Sequence, residues 1–322
     1  MQTRIVSSEF TRLSRLYRCG VLDTPSDPAF DGVLADLAQA CEAPIAQLVF
    51  ADARRFWAKA GVGAIDPESP RERGLLERMV TGGPAFMHDD GQSPPEDQDS
   101  ALPGVPPVRS FAGLRIVSPE DEVLGVLYVA DRVPRSFAAA AERLAAAALA
   151  IEALLTQGRR ARQDGSTGAL DHDAFLDQSR RLMAVSRPGR QWVSLVTLDL
   201  APLRAALEER SRGLGSLALR QMADLGRTQV RQRDCFGRTG ADSFAILLTD
   251  TAEAGARVLS DRLARRLEQG WGQAGLGLSG LTLGLASAKP TGIPGELDIL
   301  LSRAAADARV VSAAPPAVPR VA

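Results

Sequence analysis

Apolar and polar positions recur along this chain with two periods, and the changes of period mark its elements. Phe10, Leu13, Leu16 and Tyr17 stand at helical spacing, so a helix is predicted over residues 8–18, with Gly20 able to stop it. After the turn Thr24-Pro25-Ser26-Asp27-Pro28, a second helical stripe runs through Phe30, Val33, Leu34, Leu37 and Ala38. Strand patterns follow at residues 44–52, with 55–60 as an antiparallel partner, and again at 110–117 and 123–130. Residues 89–107 are rich in Pro, Asp, Ser and Gln and read as a long loop. Leu144, Ala148, Ile151 and Leu155 place a helix over about 138–157 that leads out of the first half. Residues 158–166, basic and then Gly- and Ser-containing, read as a linker with solvated charges.

In the second half, helices and strands alternate. The nearly unbroken apolar run 192–200 predicts a central strand buried on both faces. Helical patterns cover 203–207 and 217–230, and residues 235–248 read as a hairpin with Gly240 near its tip and 244–248 as the return strand. An amphipathic helix over 252–267, a strand over 281–286 and a helix over 296–310 complete the pattern. The Ala- and Pro-rich tail, 313–322, is expected to be disordered.

Length and composition narrow the classes. A chain of 322 residues suits two domains, and 45% hydrophobic with 24% charged residues is the balance of a soluble globular protein. A formal net charge of −1 offers no electrostatic reason to expect nucleic acid as a partner. The three cysteines, Cys19, Cys41 and Cys235, form no CxxC pair, so neither a zinc site nor a dithiol centre is indicated. His88 and His172 are the only histidines, too few for a histidine relay. The first nine residues lack the apolar core of a signal peptide, and the most lipid-like stretch, 138–155, is interrupted by Glu142, Arg143 and Glu152. A cytoplasmic location without a membrane partner is the expectation.

The first half resembles a GAF sensor domain over residues 8–155. The resemblance rests on Gly20-Val21-Leu22-Asp23-Thr24-Pro25, Phe30-Asp31, Ala43-Pro44-Ile45-Ala46 and Trp57-Ala58-Lys59-Ala60-Gly61-Val62-Gly63. Phe111-Ala112-Gly113 and the run from Val123 to Arg132 extend it. It implies a central antiparallel sheet flanked by helices, a tendency to form homodimers, and a small ligand whose identity the residues do not name. The placement of Cys19 and Cys41 does not suit a covalent bilin, and His88 is read as an exposed loop histidine rather than a haem ligand. A dimerisation module without any ligand is an equal reading.

The second half, 167–312, resembles a diguanylate cyclase (GGDEF) domain. Its landmarks are Thr167-Gly168-Ala169-Leu170, Phe175-Leu176, the strand ending in Asp199, the run from Arg238 to Phe244, and Leu283-Gly284-Leu285-Ala286. The whole chain is thus expected to be α+β: an antiparallel-sheet GAF domain and a nucleotide-cyclase-like domain with a ferredoxin-like core, joined by a helical linker over 156–166. The family condenses two GTP molecules, one held by each domain of an antiparallel pair, with magnesium bound by carboxylates against the triphosphates. Asp199 matches the first metal aspartate, and Asp242 the acidic residue of the signature. The plain alternative for Asp199 is a turn or cap acceptor.

The signature, Gly240-Ala241-Asp242-Ser243-Phe244, departs from the family at Ala241 and Ser243. The positions that read guanine are Leu207 and Ser216, the second aspartate of the first strand is Ala201, the following Phe-Lys is Leu203-Arg204, and the phosphate lysine is Ser312. No residue of this set is expected to be catalytically functional, Asp242 being vestigial. Five residues before the signature, Arg231-Gln232-Arg233-Asp234 stands in the register of the family's inhibitory cyclic di-GMP site, with Arg262 at the position of its second arginine. Guanidinium groups suit a guanine edge or a phosphate; a surface ion pair is the plain alternative. The resemblance therefore implies a catalytically silent receptor for cyclic di-GMP, with a weak cyclase and a scaffold binding no nucleotide as the other readings.

Overall fold

The computed structural model describes residues 2–63, 66–71, 74–83, 85–89, 108–186, 189–210, 213–273 and 281–311. The chain divides into two units, Met1–Ala161 and Arg162–Ala322.

The first unit opens with α1 (Gln2–Cys19) and α2 (Pro28–Ala40), the stripes expected from the sequence; Phe10, Leu13, Leu16, Tyr17, Phe30, Leu34, Leu37 and Ala38 are all buried. Asp27 caps α2, its Oδ1 accepting the Ala29 N–H at 3.0 Å, and Pro28 occupies the first turn, where no N–H is needed. Then come β1 (Ile45–Ala51), β2 (Arg55–Val62), β3 (Glu68–Pro70), α3 (Leu75–Thr81), β4 (Ala85–Asp89), β5 (Ser110–Val117), β6 (Val123–Asp131) and, after a 3₁₀ turn, α4 (Ala141–Ala161). The sheet runs β3-β2-β1-β6-β5-β4 with antiparallel neighbours throughout.

On one face of this sheet Ile45, Val49, Val126 and Tyr128 pack against Leu75, Leu76, Met79 and Val80 of α3. Successive strand residues point to opposite faces, so Ala46, Leu48 and Phe50, equally buried, serve the other. An ionic web ties α1 to the sheet unit: the Tyr17 hydroxyl donates to Asp52 Oδ1 at 2.9 Å, and Arg71 bridges Glu9 at 2.7 Å and Glu77 at 2.8 Å.

Several expectations are corrected here. The elements β3, α3 and β4 carry no usable period in the sequence, being three, seven and five residues long. His88, read as a loop residue, lies in β4 opposite Phe111. The remainder of the expected loop, 90–107, lies outside the described residues, as do Ser312 and the tail 313–322. The helix α4 continues through Gly158, Arg159, Arg160 and Ala161, where the linker was expected to begin. Nor are the charges of that stretch merely solvated: Arg159 faces Glu120 at 3.8 Å, and in the second unit Arg162 pairs with Asp177 at 2.8 Å.

The second unit contains α5 (His172–Val185), β7 (Val193–Asp199), α6 (Ala201–Arg210), α7 (Leu214–Gln229), β8 (Cys235–Arg238), β9 (Ser243–Thr249), α8 (Glu253–Gln273), β10 (Leu281–Ala288), α9 (Glu296–Ala306) and β11 (Arg309–Val311). Its sheet order is β11-β10-β7-β9-β8, antiparallel at every pairing, with β7 at the centre as its apolar run predicts. Taken in chain order, β7, the α6–α7 pair, the β8–β9 hairpin, α8 and β10 make the β-α-β-β-α-β arrangement of ferredoxin-like folds. The helix expected over 296–310 stops at Ala306, and β11 pairs back onto β10. The hydrophobic core joins Leu198, Leu203 and Leu207 to Met222, Phe244, Ile246, Leu259 and Leu263. Phe236 and Phe244 stack with centroids 5.6 Å apart. Among the described residues no helix is long and apolar enough to cross a membrane.

Gly284 lets α9 lie directly on β10, since a Cβ there would stand 2.0 Å from the Ala304 carbonyl oxygen and 2.6 Å from Thr197 Oγ1. Because the obstacle is backbone, Gly284→Ala is expected to cost about 1–3 kcal/mol through overpacking, measured as a lowered urea midpoint.

Candidate functional site

The candidate site is built where β7 ends. In register, Asp199 lies opposite Ser243 on β9 and Thr282 on β10. One residue on, the Leu200 N–H donates to the Asp242 carbonyl at 2.9 Å, drawing the tip of the β8–β9 hairpin onto the start of α6. The two sequence-predicted metal residues, Asp199 and Asp242, are therefore brought to the same end of the sheet.

The hairpin tip is closed from both sides. Thr239 N–H and Gly240 N–H donate to the Ser243 carbonyl at 2.8 and 3.3 Å. Arg238 donates to the carbonyls of Gly240 (3.1 Å) and Ala241, and also to Asp164 Oδ1 at 2.9 Å, Asp164 Oδ2 at 3.0 Å and Ser166 Oγ at 2.7 Å. Thr167 adds its N–H and hydroxyl to Asp164 Oδ1 at 2.9 and 2.7 Å. Burial pushes the Asp164 carboxyl up, but the hydrogen bonds from Thr167, Ser166 and Arg238, together with the Arg238 charge, outweigh it and hold the pKa at about 2. The Arg238–Asp164 clamp joins residues 74 positions apart and was not legible in the sequence; a basic residue at the hairpin and an acid in a presumed linker give no sign of each other.

The acidic pair itself is already engaged. Arg204, one turn into α6, places Nε 2.6 Å from Asp242 Oδ1. Asp199 Oδ1 accepts the Ala201 N–H at 2.9 Å, the cap role that was its plain alternative. Magnesium against a triphosphate is held at about 2.0–2.1 Å by one or two carboxylates together with the phosphates and water. Here a guanidinium stands on one aspartate, the other caps a helix, and positions 201 and 243 carry Ala and Ser. Among the described residues no group of three or more acidic, histidine or cysteine side chains stands together to hold a metal ion. Gly240 lacks a positive φ and has room for a Cβ, and Ala241 is exposed, so nothing in the tip now requires the glycine pair.

At the two guanine-reading positions, Leu207 is 2% exposed within the core and Ser216 is exposed on α7. A leucine turned into the core offers no donor or acceptor to a base.

The Arg231–Asp234 element requires a correction. The segment is a turn closed by Asp234 N–H to Arg231 carbonyl at 3.0 Å, and it leaves Arg231 exposed while Asp234 is 1% exposed. Asp234 Oδ1 accepts the Thr249 N–H at 2.9 Å and the Thr249 hydroxyl at 3.1 Å, anchoring the end of β9. Burial raises its pKa, opposed by the two Thr249 bonds and by the Arg233 and Arg231 charges. Asp234 is thus a structural group, whereas Arg231 and Arg262, the latter on α8, both reach solvent. Thr249, the partner that turns Asp234 inward, has no motif to announce it.

Two outcomes follow for stability. Asp164 has a folded-state pKa below its ordinary value of 3.8, so its contribution is present above pH 4 and lost as pH falls towards 2. The full shift corresponds to about 2 kcal/mol, which solvent screening at this half-open site reduces to about 1 kcal/mol. Asp164→Asn should therefore lower the urea midpoint at pH 6 and narrow the gap to wild type at pH 3. Asp234→Ala leaves the buried Thr249 N–H unpaired, while the hydroxyl keeps the Arg233 carbonyl, and is expected to cost about 1–3 kcal/mol, read by the same unfolding curves.

Comparison with known proteins places these observations. Residues 161–291 match the family described as diguanylate cyclase, GGDEF domain. A cyclic di-GMP phosphodiesterase of Pseudomonas aeruginosa is 29% identical over 128 residues, covering 39% of this chain and 22% of the relative. A probable diguanylate cyclase of Escherichia coli is 29% identical over 103 residues, covering 32% of this chain and 9% of the relative. The chain thus spans less than a quarter of the length of either. Among solved structures, the GGDEF domain of DgcB from Caulobacter crescentus in complex with c-di-GMP aligns at 20% identity and TM-score 0.38, over 45% of this chain and 84% of that one. A GAF domain from an Acinetobacter phosphoenolpyruvate-protein phosphotransferase aligns at 18% identity and TM-score 0.35, over 45% and 91%. The similarity to the GGDEF domain family thus falls on residues 161–291, almost all of them in the second unit.

Proposed function

We propose that this chain is a bacterial signalling protein whose GGDEF domain is catalytically silent and serves as a receptor for cyclic di-GMP. The observation that carries the silent half of this reading is the Arg204–Asp242 ion pair: the one acid left in the signature is neutralised from within the chain at 2.6 Å. The inward turn of Leu207 supports it from the side of guanine recognition. A weak cyclase using Asp199 and Asp242 would have to break both the ion pair and the helix cap before a metal could approach.

For the receptor half, support comes from Arg231, in the turn after α7, and Arg262, on α8, both exposed and chemically suited to phosphate or to the O6/N7 edge of guanine. The relatives lend the ligand: their names concern cyclic di-GMP turnover. In this reading Asp234 shapes the turn that presents Arg231 and does not touch the ligand. The first unit is proposed as a GAF module providing sensory input and homodimer contacts. A second reading, a regulatory scaffold that binds no nucleotide, is favoured by the same burial of Asp234, which removes one contact from the expected element.

Incubation of the full chain with GTP and magnesium, over concentrations that permit dimerisation, is expected to yield no dinucleotide; product above the buffer control would overturn silence. Calorimetric titration with cyclic di-GMP is expected to give saturable binding that Arg231→Ala and Arg262→Ala each weaken at least about tenfold, roughly 1.4 kcal/mol. Absence of heat with the wild type would transfer the assignment to the scaffold.

A further inference from the structure

The chain carries 38 basic residues, yet Lys59 and Lys289 are its only lysines. Apart from Lys289, which is exposed, this sequence draws its surface positive charge from arginine. Lys289 lies over the exposed Trp192 ring at 5.2 Å. Lys59 is different: on β2, only 8% exposed, it lines an open pocket of about 630 Å³ in the first unit, between the turn before α2 and the last turns of α4. That volume is within the range of small-molecule sites.

The Lys59 ammonium donates to Thr24 Oγ1 at 2.8 Å and to the Pro25 carbonyl at 2.7 Å, and lies 5.6 Å from the centroid of the Phe30 ring. All three partners are neutral. Among the described residues it forms no ion pair, so a nearly buried positive charge stands at the pocket wall with two of its three donors used. Pinning the turn explains the two hydrogen bonds; the Asp27 and Asp31 carboxylates act on the charge without forming an ion pair with it. A guanidinium, with five donors in a planar fork, could not replace this compact ammonium between the two acceptors.

The surroundings specify the missing partner. The N-terminal end of the 13-residue helix α2 borders the same pocket, but the Asp27 carboxylate already takes the Ala29 N–H and Pro28 has none, so Lys59 is the one positive group in the pocket lining. Val21, Phe30 and Leu154 give apolar walls, and Gln157 adds a polar group. Asp27 is at the rim with its carboxylate committed to the Ala29 N–H, and Asp31 receives the Ser26 hydroxyl. These two negative charges oppose a second negative charge on any ligand. We propose that this pocket is a binding site for a small organic monoanion, a carboxylate with an apolar body, held by the Lys59 ammonium. Burial makes the Lys59 proton less tightly held, with Asp27 and Asp31 opposing, and a bound carboxylate would restore it.

The probes are benzoate, its neutral isostere benzamide, and the dianion phthalate, titrated into the full chain by calorimetry. Benzoate is expected to bind saturably, at least tenfold more tightly than benzamide and fivefold more tightly than phthalate, with Lys59→Met weakening it at least tenfold. Since Lys59→Met could loosen the turn, a second measurement uses the unaltered protein. Reductive methylation with formaldehyde, read peptide by peptide by mass spectrometry, distinguishes the two lysines. Benzoate should slow labelling of Lys59 at least threefold and leave Lys289 unchanged. No saturable benzoate binding, benzamide binding equally well, or unchanged labelling of Lys59 at the highest benzoate concentration would each overturn the assignment; phthalate binding as tightly would overturn its single-charge character. None of these readouts involves cyclic di-GMP, so either proposal can fail alone.

Discussion

The register of β7 is the constraint from which the second unit follows. Each residue from Val193 to Asp199 is paired on both sides, to β9 and to β10, so a slip of one residue would turn Leu195 and Leu198 to the wrong faces. That fixed register sets Asp199 beside Ser243 and leaves the next amide, Leu200 N–H, to bind the Asp242 carbonyl. The start of α6 is thereby fixed too, and with it the reach of Arg204 to Asp242. The ion pair at the candidate site is thus a consequence of a strand deep in the core.

This dependence separates scaffold from chemistry. The GGDEF-like landmarks with a visible packing role hold backbone together: Gly284, which admits α9, Arg238, which clamps the hairpin tip to Asp164, and Phe175, which packs on Gly237. The departures from the family's pattern fall at positions 201, 207, 216, 241 and 243, those to which the resemblance assigns contacts with nucleotide or metal. A fold is kept by many weak, mutually dependent contacts, whereas a catalytic site of a few carboxylates can be dismantled without disturbing them.

Legibility in the sequence followed the same division. The long periodic elements, α2, the strands from β5 to β7 and the β8–β9 hairpin, were readable because burial on one or two faces imposes a repeating pattern over seven or more residues or a return across a turn. The short elements β3, β4 and β11 were not, since three to five residues hold too little of a period. Site residues were legible as identities but not as partners. That Asp199 and Asp242 converge could be foreseen from strand ends in register. That Asp234 faces Thr249 rather than solvent could not, because a turn fixes side-chain direction only once the neighbouring strand is in place. Arg204 was seen as a departure from the family, while its bond to Asp242 depended on the rotation of α6.

The two charges that the fold buries or half-buries without an obvious structural return are treated in opposite ways. At Asp242 the chain supplies its own counter-ion, and the site is closed by a contact within one unit. At Lys59 it supplies only neutral acceptors and leaves a pocket beside them. Burying an unpaired charge is unfavourable unless something compensates it, so an internal counter-ion makes a site indifferent to solutes while its absence makes a site responsive to them. The arginine-rich composition sharpens the contrast, because a counter-ion or a neutral replacement would have been an easy substitution at Lys59. Within this chain, the second unit answers the Asp242 charge with Arg204 from its own helix α6. Responsiveness to a small anion resides instead at Lys59 in the first unit.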